Sequence, residues 1–339
     1  MATENTDAEG YKKWKTIIMA ERPILNRDLI VDGIETVKRV TPTGFFNTSS
    51  DKKIIPDLHE KTFEAMIDTT RLRRERDPSQ NEATIKMETN LPWIAILNTG
   101  DWHIGSERCD YEAWHRDMSY VKETDGLFMN ILGDERDNFV TPKFMRGADE
   151  HVISPQQQAE FIEYVLRDLD GVGKIMARTG GNHDHWTWLQ SGIELEDFWY
   201  KEMKSPLFRN GGFLHLELNG TKYEFYLHHG LTIFNSNFNP NHATKRAFEF
   251  QGPFDVGAMG HSHVAEIAHG YRWTDSHQKD YVQMRTGTYK IDDQYARSRQ
   301  LGRGQPAGAT VLLNTVERRM IPFLKLEDAV SVLKGLNRN

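Results

Sequence analysis

From about residue 89 onward, short apolar runs alternate with polar loops that begin or end on glycine. Trp93-Ile94-Ala95-Ile96-Leu97 runs into Asn98-Thr99-Gly100, and Leu127-Phe128-Met129-Asn130-Ile131-Leu132 stops at Gly133. Lys174-Ile175-Met176-Ala177-Arg178 precedes Gly180-Gly181, and Phe254-Asp255-Val256-Gly257-Ala258-Met259 precedes Gly260. Runs of this length closed by turn residues predict buried strands. Tyr223-Glu224-Phe225-Tyr226-Leu227 alternates apolar and polar positions, as a half-buried strand does, and ends at His228-His229-Gly230.

Helical spacing separates the early strands. Tyr111, Trp114, Met118 and Val121 recur on one helical face. Ser154-Pro155-Gln156-Gln157 supplies an N-cap, a first-turn proline and a capping-box glutamine. Phe161, Ile162, Val165, Leu166 and Leu169 follow as the apolar stripe, and Gly171 is placed to end the helix. Strands alternating with helices predict an α/β fold with parallel pairing. In open α/β sheets ligands bind beyond the carboxyl ends of the strands.

Residues 1–88 read differently. They are strongly charged and carry one amphipathic helix after Pro56-Asp57, built on Leu58, Phe63, Met66 and Ile67. A basic cluster follows at Arg71, Arg73, Arg74 and Arg76, either a solvated helix face or a nucleic-acid contact. Asp77-Pro78-Ser79-Gln80-Asn81 then reads as a loop. The organisation expected is an N-terminal extension (1–88), a catalytic domain (89–325) and a C-terminal tail (326–339).

Composition narrows the class. The chain has 339 residues, 38% hydrophobic and 27% charged, as an ordinary globular protein does. No apolar run approaches the roughly 20 residues that a membrane helix needs. No secretory signal is visible at the start, and the single cysteine, Cys109, excludes an intrachain disulfide and offers at most one thiolate ligand. A cytoplasmic setting without membrane contact is expected. The net charge of −7 argues against a protein that coats nucleic acid through charge alone, though not against a local basic groove.

The chemistry lies in five clusters, each at a predicted strand end. They are Asp101-Trp102-His103, Gly133-Asp134-Glu135-Arg136-Asp137-Asn138, Gly181-Asn182-His183-Asp184, His229-Gly230 and Gly260-His261-Ser262-His263. Carboxylate, imidazole and amide oxygen suit manganese, iron or zinc, and the lack of thiolates argues against a cysteine-built zinc site. Asp101 and His103, like His261 and His263, are one position apart and project to one side of an extended segment. His228 and His229 point to opposite sides, so only one of them can be a ligand. A carboxylate such as Asp134 can bridge two cations about 3.5–4 Å apart. Singly, most of these motifs are weak; the five in this order carry the reading.

The series Asp-X-His, Gly-Asp-X-X-Asp, Gly-Asn-His-Asp, His-Gly and Gly-His-X-His resembles the signature of the calcineurin-like metallophosphoesterase superfamily, over about residues 94 to 263. The resemblance implies an α/β fold of two mixed β-sheets packed as a sandwich and flanked by helices. It further implies two divalent metal ions, with manganese the first expectation and iron or zinc the alternatives. Asp101, His103 and His263 would hold one ion, Asn182, His229 and His261 the other, and Asp134 both. His183 would serve the leaving oxygen without holding a metal, oriented and kept protonated by Asp137. The nucleophile would be a metal-bound hydroxide.

Departures refine this expectation. The protein phosphatase branch has arginine after the second Asp of its second motif and glutamate after Gly-Asn-His, where this chain has Asn138 and Asp184. Arginine suits bidentate capture of a monoester. The Asp-X-His-X-Gly opening and Gly-Asn-His-Asp are similar to SbcD-type nucleases, which carry an apolar pair in place of Glu135-Arg136. The expected activity is a phosphodiesterase or nuclease acting on nucleic acid. Arg71–Arg76 and a second set, Arg297, Arg299 and Arg303, are candidate phosphate contacts. The alternatives are a phosphomonoesterase or nucleotide hydrolase for a small substrate, and a non-catalytic scaffold. His185 and Trp186 either line the pocket or belong to the core. His115 is placed on a helix, and His151, His242, His269 and His277 at the surface.

Overall fold

The chain divides into two compact units, residues 1–77 and 78–339. The structure, a computed structural model, describes residues 51–76, 80–141, 145–194, 202–230, 236, 238–273, 278–291, 297 and 305–338. Residues 77–79 of the expected loop, His277, Arg299 and Arg303 lie outside the described residues. In the first unit, α1 (Asp51–Arg76) covers the amphipathic helix expected there, with Phe63, Met66 and Ile67 exposed. Arg71 of the basic cluster is tied to Asp68 at 3.0 Å on the same helix.

Among the described residues the second unit is built on twelve strands. In chain order they are β1 (Glu82–Met87), β2 (Trp93–Thr99), β3 (Leu127–Ile131), β4 (Ile175–Thr179), β5 (Leu207–Phe208) and β6 (Gly212–Leu218). They continue as β7 (Thr221–His228), β8 (Val256–Met259), β9 (Glu266–Trp273), β10 (Gln278–Arg285), β11 (Gly308–Asn314) and β12 (Met320–Phe323). One mixed sheet has the order β1-β6-β7-β8-β10-β9, and the other β12-β11-β2-β3-β4-β5. The helices are α2 (Tyr111–Glu123), α3 (Met145–Ala148), α4 (Pro155–Gly171), α5 (Asn182–Ser191), α6 (His242–Phe250) and α7 (Leu326–Leu336). The chain therefore has the fold class expected, two mixed sheets of six strands with flanking helices.

Strand alternation separates the layers. In β2, Ile94 and Ile96 face the core between the sheets, where they meet Leu214, Phe225, Val256, Met284 and Val311. Ala95 and Leu97 face the other way, into a core shared with Trp114 and Met118 of α2, Ile162 and Leu166 of α4, and Val330 and Leu333 of α7. Tyr226 and Met259, on the outer face of the β1-β6-β7-β8-β10-β9 sheet, pack with Ala247 and Phe248 of α6. The start of α4 has the predicted capping box, with Ser154 and Gln157 bonded reciprocally.

Two boundaries differ from the sequence expectation. Residues 82–87, assigned to an N-terminal extension, form β1, which pairs parallel to β6 from Glu82↔Phe213 to Met87↔Leu218. Ala83, Ile85 and Met87 pack on the intersheet core, a short alternating pattern concealed among charged neighbours. Residues 326–336, expected as a tail, form α7, because Leu326, Ala329, Val330 and Leu333 make one apolar face. Among the described residues no helix is long and apolar enough to cross a membrane.

Tyr223 links the two sheets. Its hydroxyl accepts from the Arg319 N–H at 3.0 Å and lies 2.7 Å from the Asn314 carbonyl and 2.9 Å from that of Glu317. Tyr223→Phe keeps the ring and removes the hydroxyl from these part-buried backbone groups. We expect a loss of about 0.5–1.5 kcal/mol, read as a lowered urea midpoint with an unchanged m-value.

Candidate metal centre

All five clusters follow parallel strands. Asp101 comes after β2, Asp134 after β3 and Asn182 after β4, which are neighbours in one sheet. His229 follows β7 and His261 follows β8, which are parallel neighbours in the other. Parallel strands bring their carboxyl ends to one edge, so residues spread over 160 positions become neighbours.

The backbone at this edge is not extended, as the one-apart spacing suggested. Asp101, His103, Asp134, Asn138, His261 and His263 have φ between 43° and 71°, six of the seven such non-glycine residues among those described. A left-handed conformation costs an L-residue roughly 1–2 kcal/mol, and such strain persists where surrounding contacts enforce it. It turns the alternate side chains inward. Two glycines make room for the carboxylates. A Cβ on Gly181 would lie 2.1 Å from Asp134 Oδ1, and one on Gly260 2.5 Å from Asp101 Oδ2.

The side chains converge in three overlapping groups. Asp101 Oδ1 is 3.2 Å from His263 Nε2, which is 3.1 Å from His103 Nε2. Asp134 Oδ2 is 3.2 Å from His229 Nε2, which also lies 2.9 Å from Asn182 Oδ1 and 3.2 Å from His261 Nδ1. Asp134 belongs to both the His229–His261 group and a third group with His103 and His183. His183 is therefore near enough to act as a ligand as well, although the sequence reading gave it no metal. His228 points away, as the pairing rule required of one histidine, and its Nδ1 accepts from the Gly230 N–H.

This donor set fits divalent cations. Imidazole nitrogens facing one another at about 3 Å cannot all carry protons. Asp101 Oδ1 is fully buried with no hydrogen-bond partner. Asp101 Oδ2 is spent on the His261 N–H at 2.6 Å and Asp134 Oδ1 on the His183 N–H at 2.8 Å. The second bond places Asp134 at the N-terminus of α5, where the helix dipole favours an anion.

The protonation pattern of the metal-free site is split. Burial alone would raise both carboxyls, but neighbouring imidazoles hold Asp101 at about 2 and Asp134 well below its usual range. Burial likewise opposes a charge on His229, yet Asp134 and Asp101 lift it to about 10. Burial pushes His183, His228 and His261 down to about 4.

Asp137 was expected to orient His183 and favour a charged imidazole. Instead His183 Nδ1 meets the backbone carbonyl of Asp137 at 2.5 Å, and burial favours the neutral ring. The Asp137 carboxylate lies 3.2 Å from His103 Nδ1, 3.4 Å from His151 Nε2 and 2.8 Å from Lys290 Nζ. His151, expected at the surface, thus has a side chain only 8% exposed. Lys290 carried no motif that could have flagged it.

Other motif residues brace the site. Arg136 is buried and donates from Nε and Nη2 to Asp184 Oδ1, at 3.1 and 2.9 Å, which locks the second cluster to the third. Asn138 donates to the His183 carbonyl at 2.6 Å and to Thr187 Oγ1 at 3.0 Å. Trp186 packs against His183 with the rings tilted by 32° and 3.9 Å between centroids. His185 lines a cavity of about 370 Å³ beside Asn182 and His229, together with Glu194, Arg209 and Asn210. Cys109 donates to the Trp102 carbonyl, and burial pushes its thiol up to about 12, so it stands apart from the cluster. His115, His242 and His269 are exposed, as is Arg297.

No protein-family model and no curated protein matches the sequence. Among solved structures the chain is similar to Chaetomium thermophilum Vps29, at a TM-score of 0.31 and 10% identity over 68% of this chain and 92% of that one. It is similar to hypothetical protein PH1004 from Pyrococcus horikoshii OT3, at 0.33 and 11% over 74% and 97%. It is also similar to GAP50, the anchor in the inner membrane complex of Plasmodium, at 0.32 and 8% over 73% and 96%. At such identities the chemistry of the site rests on its own residues.

The protonation pattern sets a pH dependence for the metal-free protein. Between pH 6.5 and about 4, unfolded His183, His228 and His261 bind protons that the folded rings refuse, so stability falls as pH falls. His229 acts oppositely, since its folded value near 10 removes stability as pH rises above 6.5. We expect the denaturant midpoint in a chelator to peak near neutrality and drop on both sides. A flat midpoint from pH 7 to 4.5 would contradict the burial of these imidazoles.

Proposed function

We propose that this protein is a dinuclear metal-dependent phosphoesterase that cleaves phosphodiesters, with nucleic acid as the substrate class. The observation that carries the reading is the convergence of the five clusters on one edge of the two sheets, where carboxylate, imidazole and amide donors overlap at Asp134. Asp101, His103 and His263 form one ligand set and Asn182, His229 and His261 the other, with Asp134 shared. Manganese is the first candidate for both, with iron or zinc the alternatives, since the set holds nitrogen and oxygen donors and no thiolate. When bound, two such ions acidify water and polarise the phosphoryl oxygens.

The chain's own residues supply the rest. His183 turns its Nε2 towards Asp134 Oδ2, 3.9 Å away, while Nδ1 is anchored on the Asp137 carbonyl. An anionic phosphoryl group placed there favours a proton on Nε2 and so prepares the ring to serve the leaving oxygen. Trp186 and Phe139 shield this ring from water. Asn138, turned back onto the His183 carbonyl, offers no cation to a monoester's free oxygens. This supports a diester substrate.

A second reading, a phosphomonoesterase or nucleotide hydrolase for a small substrate, is favoured by the compact 370 Å³ cavity beside Asn182 and His229. Its wall includes Arg209, paired with Glu194 at 3.1 Å.

Elemental analysis of the manganese-reconstituted protein should give two ions per chain, and Asp134→Asn should weaken both sites together. No bound metal at all would falsify the reading. Single-stranded DNA, double-stranded DNA, a phosphodiester dye and a phosphomonoester dye offered side by side separate the substrate classes. A strong preference for monoesters over every nucleic acid moves the assignment to the second reading. His183→Gln should lose roughly 10²-fold or more in rate with metal content unchanged. Loss of metal in that variant makes His183 a ligand instead.

A further inference from the structure

Lys290 is a lysine where none is expected. Its side chain is 3% exposed, and burying an ammonium is costly unless it is paired and hydrogen-bonded. Nζ donates to Asp137 Oδ1 at 2.8 Å and stands 4.8 Å from the centroid of the Phe139 ring. The ammonium is thus held by an anion on one side and an aromatic face on the other. Asp137 Oδ1 is also the oxygen 3.2 Å from His103 Nδ1, off the line of an ideal hydrogen bond, and Asp137 is itself fully buried. On the opposite edge of the same imidazole, Nε2 is 3.1 Å from His263 Nε2 and 3.9 Å from Asp101 Oδ1.

The segment that carries Lys290 braces the same turn twice more. Thr288 Oγ1 donates to the Asp101 carbonyl at 2.8 Å, and the Tyr289 N–H reaches that carbonyl at 3.3 Å. Lys290 N–H in turn donates to Thr288 Oγ1 at 2.9 Å. Three consecutive residues after β10 therefore hold the strained Asp101–His103 turn from behind, and only the third carries a charge.

We propose that Lys290 is a positioning residue of the metal site: its ammonium fixes the Asp137 carboxylate against the Nδ1 edge of His103, so that Nε2 is presented with Asp101 and His263 to one cation. Metal-ligating histidines commonly direct their second nitrogen to a carboxylate, which fixes tautomer and ring orientation. Here that carboxylate is itself fixed by a buried cation. The inference rests on the two-metal reading and adds to it an asymmetry: Lys290 serves the Asp101–His103–His263 set and not the Asn182–His229–His261 set.

The test uses the full chain, stripped of metal and titrated with zinc by calorimetry, alongside the histidine ¹⁵N spectrum of the zinc-loaded protein. Wild type should bind two zinc ions and show His103 protonated at Nδ1 and metallated at Nε2. Lys290→Met should weaken one site by about 10–100-fold, the usual scale for a partner behind a ligand, and leave the other unchanged. The His103 resonances should shift or split into two tautomers. Lys290→Gln, which keeps a donor without the charge, should lie between, and it carries the test if the Met variant does not fold. Wild-type affinity at both sites with an unshifted His103 signal in the folded variants overturns the proposal and leaves the two-metal reading standing. Equal weakening of both sites also overturns it, since that marks a general loss of structure. Failure of the wild type to bind zinc overturns the two-metal reading and this inference with it.

Discussion

The site depends on keeping the Asp134 carboxylate ionised while it is buried. Desolvation opposes that charge, and in the described structure it is offset by His229, by the His183 N–H at the start of α5 and by the nearby imidazoles of His183 and His103. Each compensating group comes from a different segment: His183 follows β4, His229 follows β7 and His103 follows β2. The carboxylate can be placed only if the sheets bring these three ends together. The fit is tight enough that position 181 has no room for a side chain.

The same constraint accounts for the strained backbone. An extended chain leaving a strand would carry Asp101 and His103 past the site, and left-handed turns bend them into it. Strain of this kind is held by neighbours that over-determine the geometry. They are visible here as the Gly133 carbonyl under the Asp101 N–H, the Asp134 carbonyl under that of His103, and the braces from Thr288 and Tyr289. Arg136, a departure from the SbcD-type pattern, and Asp184, a departure from the protein phosphatase pattern, act in this scaffold by tying the second cluster to the third.

Much of the fold was legible because burial leaves a period. The strands at 93–99, 127–131, 175–179 and 256–259 announced themselves as apolar runs ending in glycine, that at 221–228 through its alternation, and α4 through its capping box. β1, β6 and the β9–β10 hairpin did not. Their outward positions carry charges such as Lys86, Glu217 and Lys279, and their inward ones are too few to stand out. α5 was read as a loop motif because Asn182-His183-Asp184 is polar, although these residues open a helix capped by Gly181. Residues 326–336 were too close to the terminus to be credited with a packed face.

The sequence by itself singled out the candidate donors and their order, since donors of one type recurring at strand ends are a local pattern. It also determined that only one of His228 and His229 could face the cluster, because neighbouring residues on a strand point to opposite sides. Only the tertiary structure decided what each donor touches. Asp137 lies in the motif expected to serve His183, yet its carboxylate meets His103, His151 and Lys290, residues 34, 14 and 153 positions away. No local pattern encodes such a meeting. It arises where β2, β3 and the end of β10 are packed together, and a buried charge there must find its partner in space rather than along the chain.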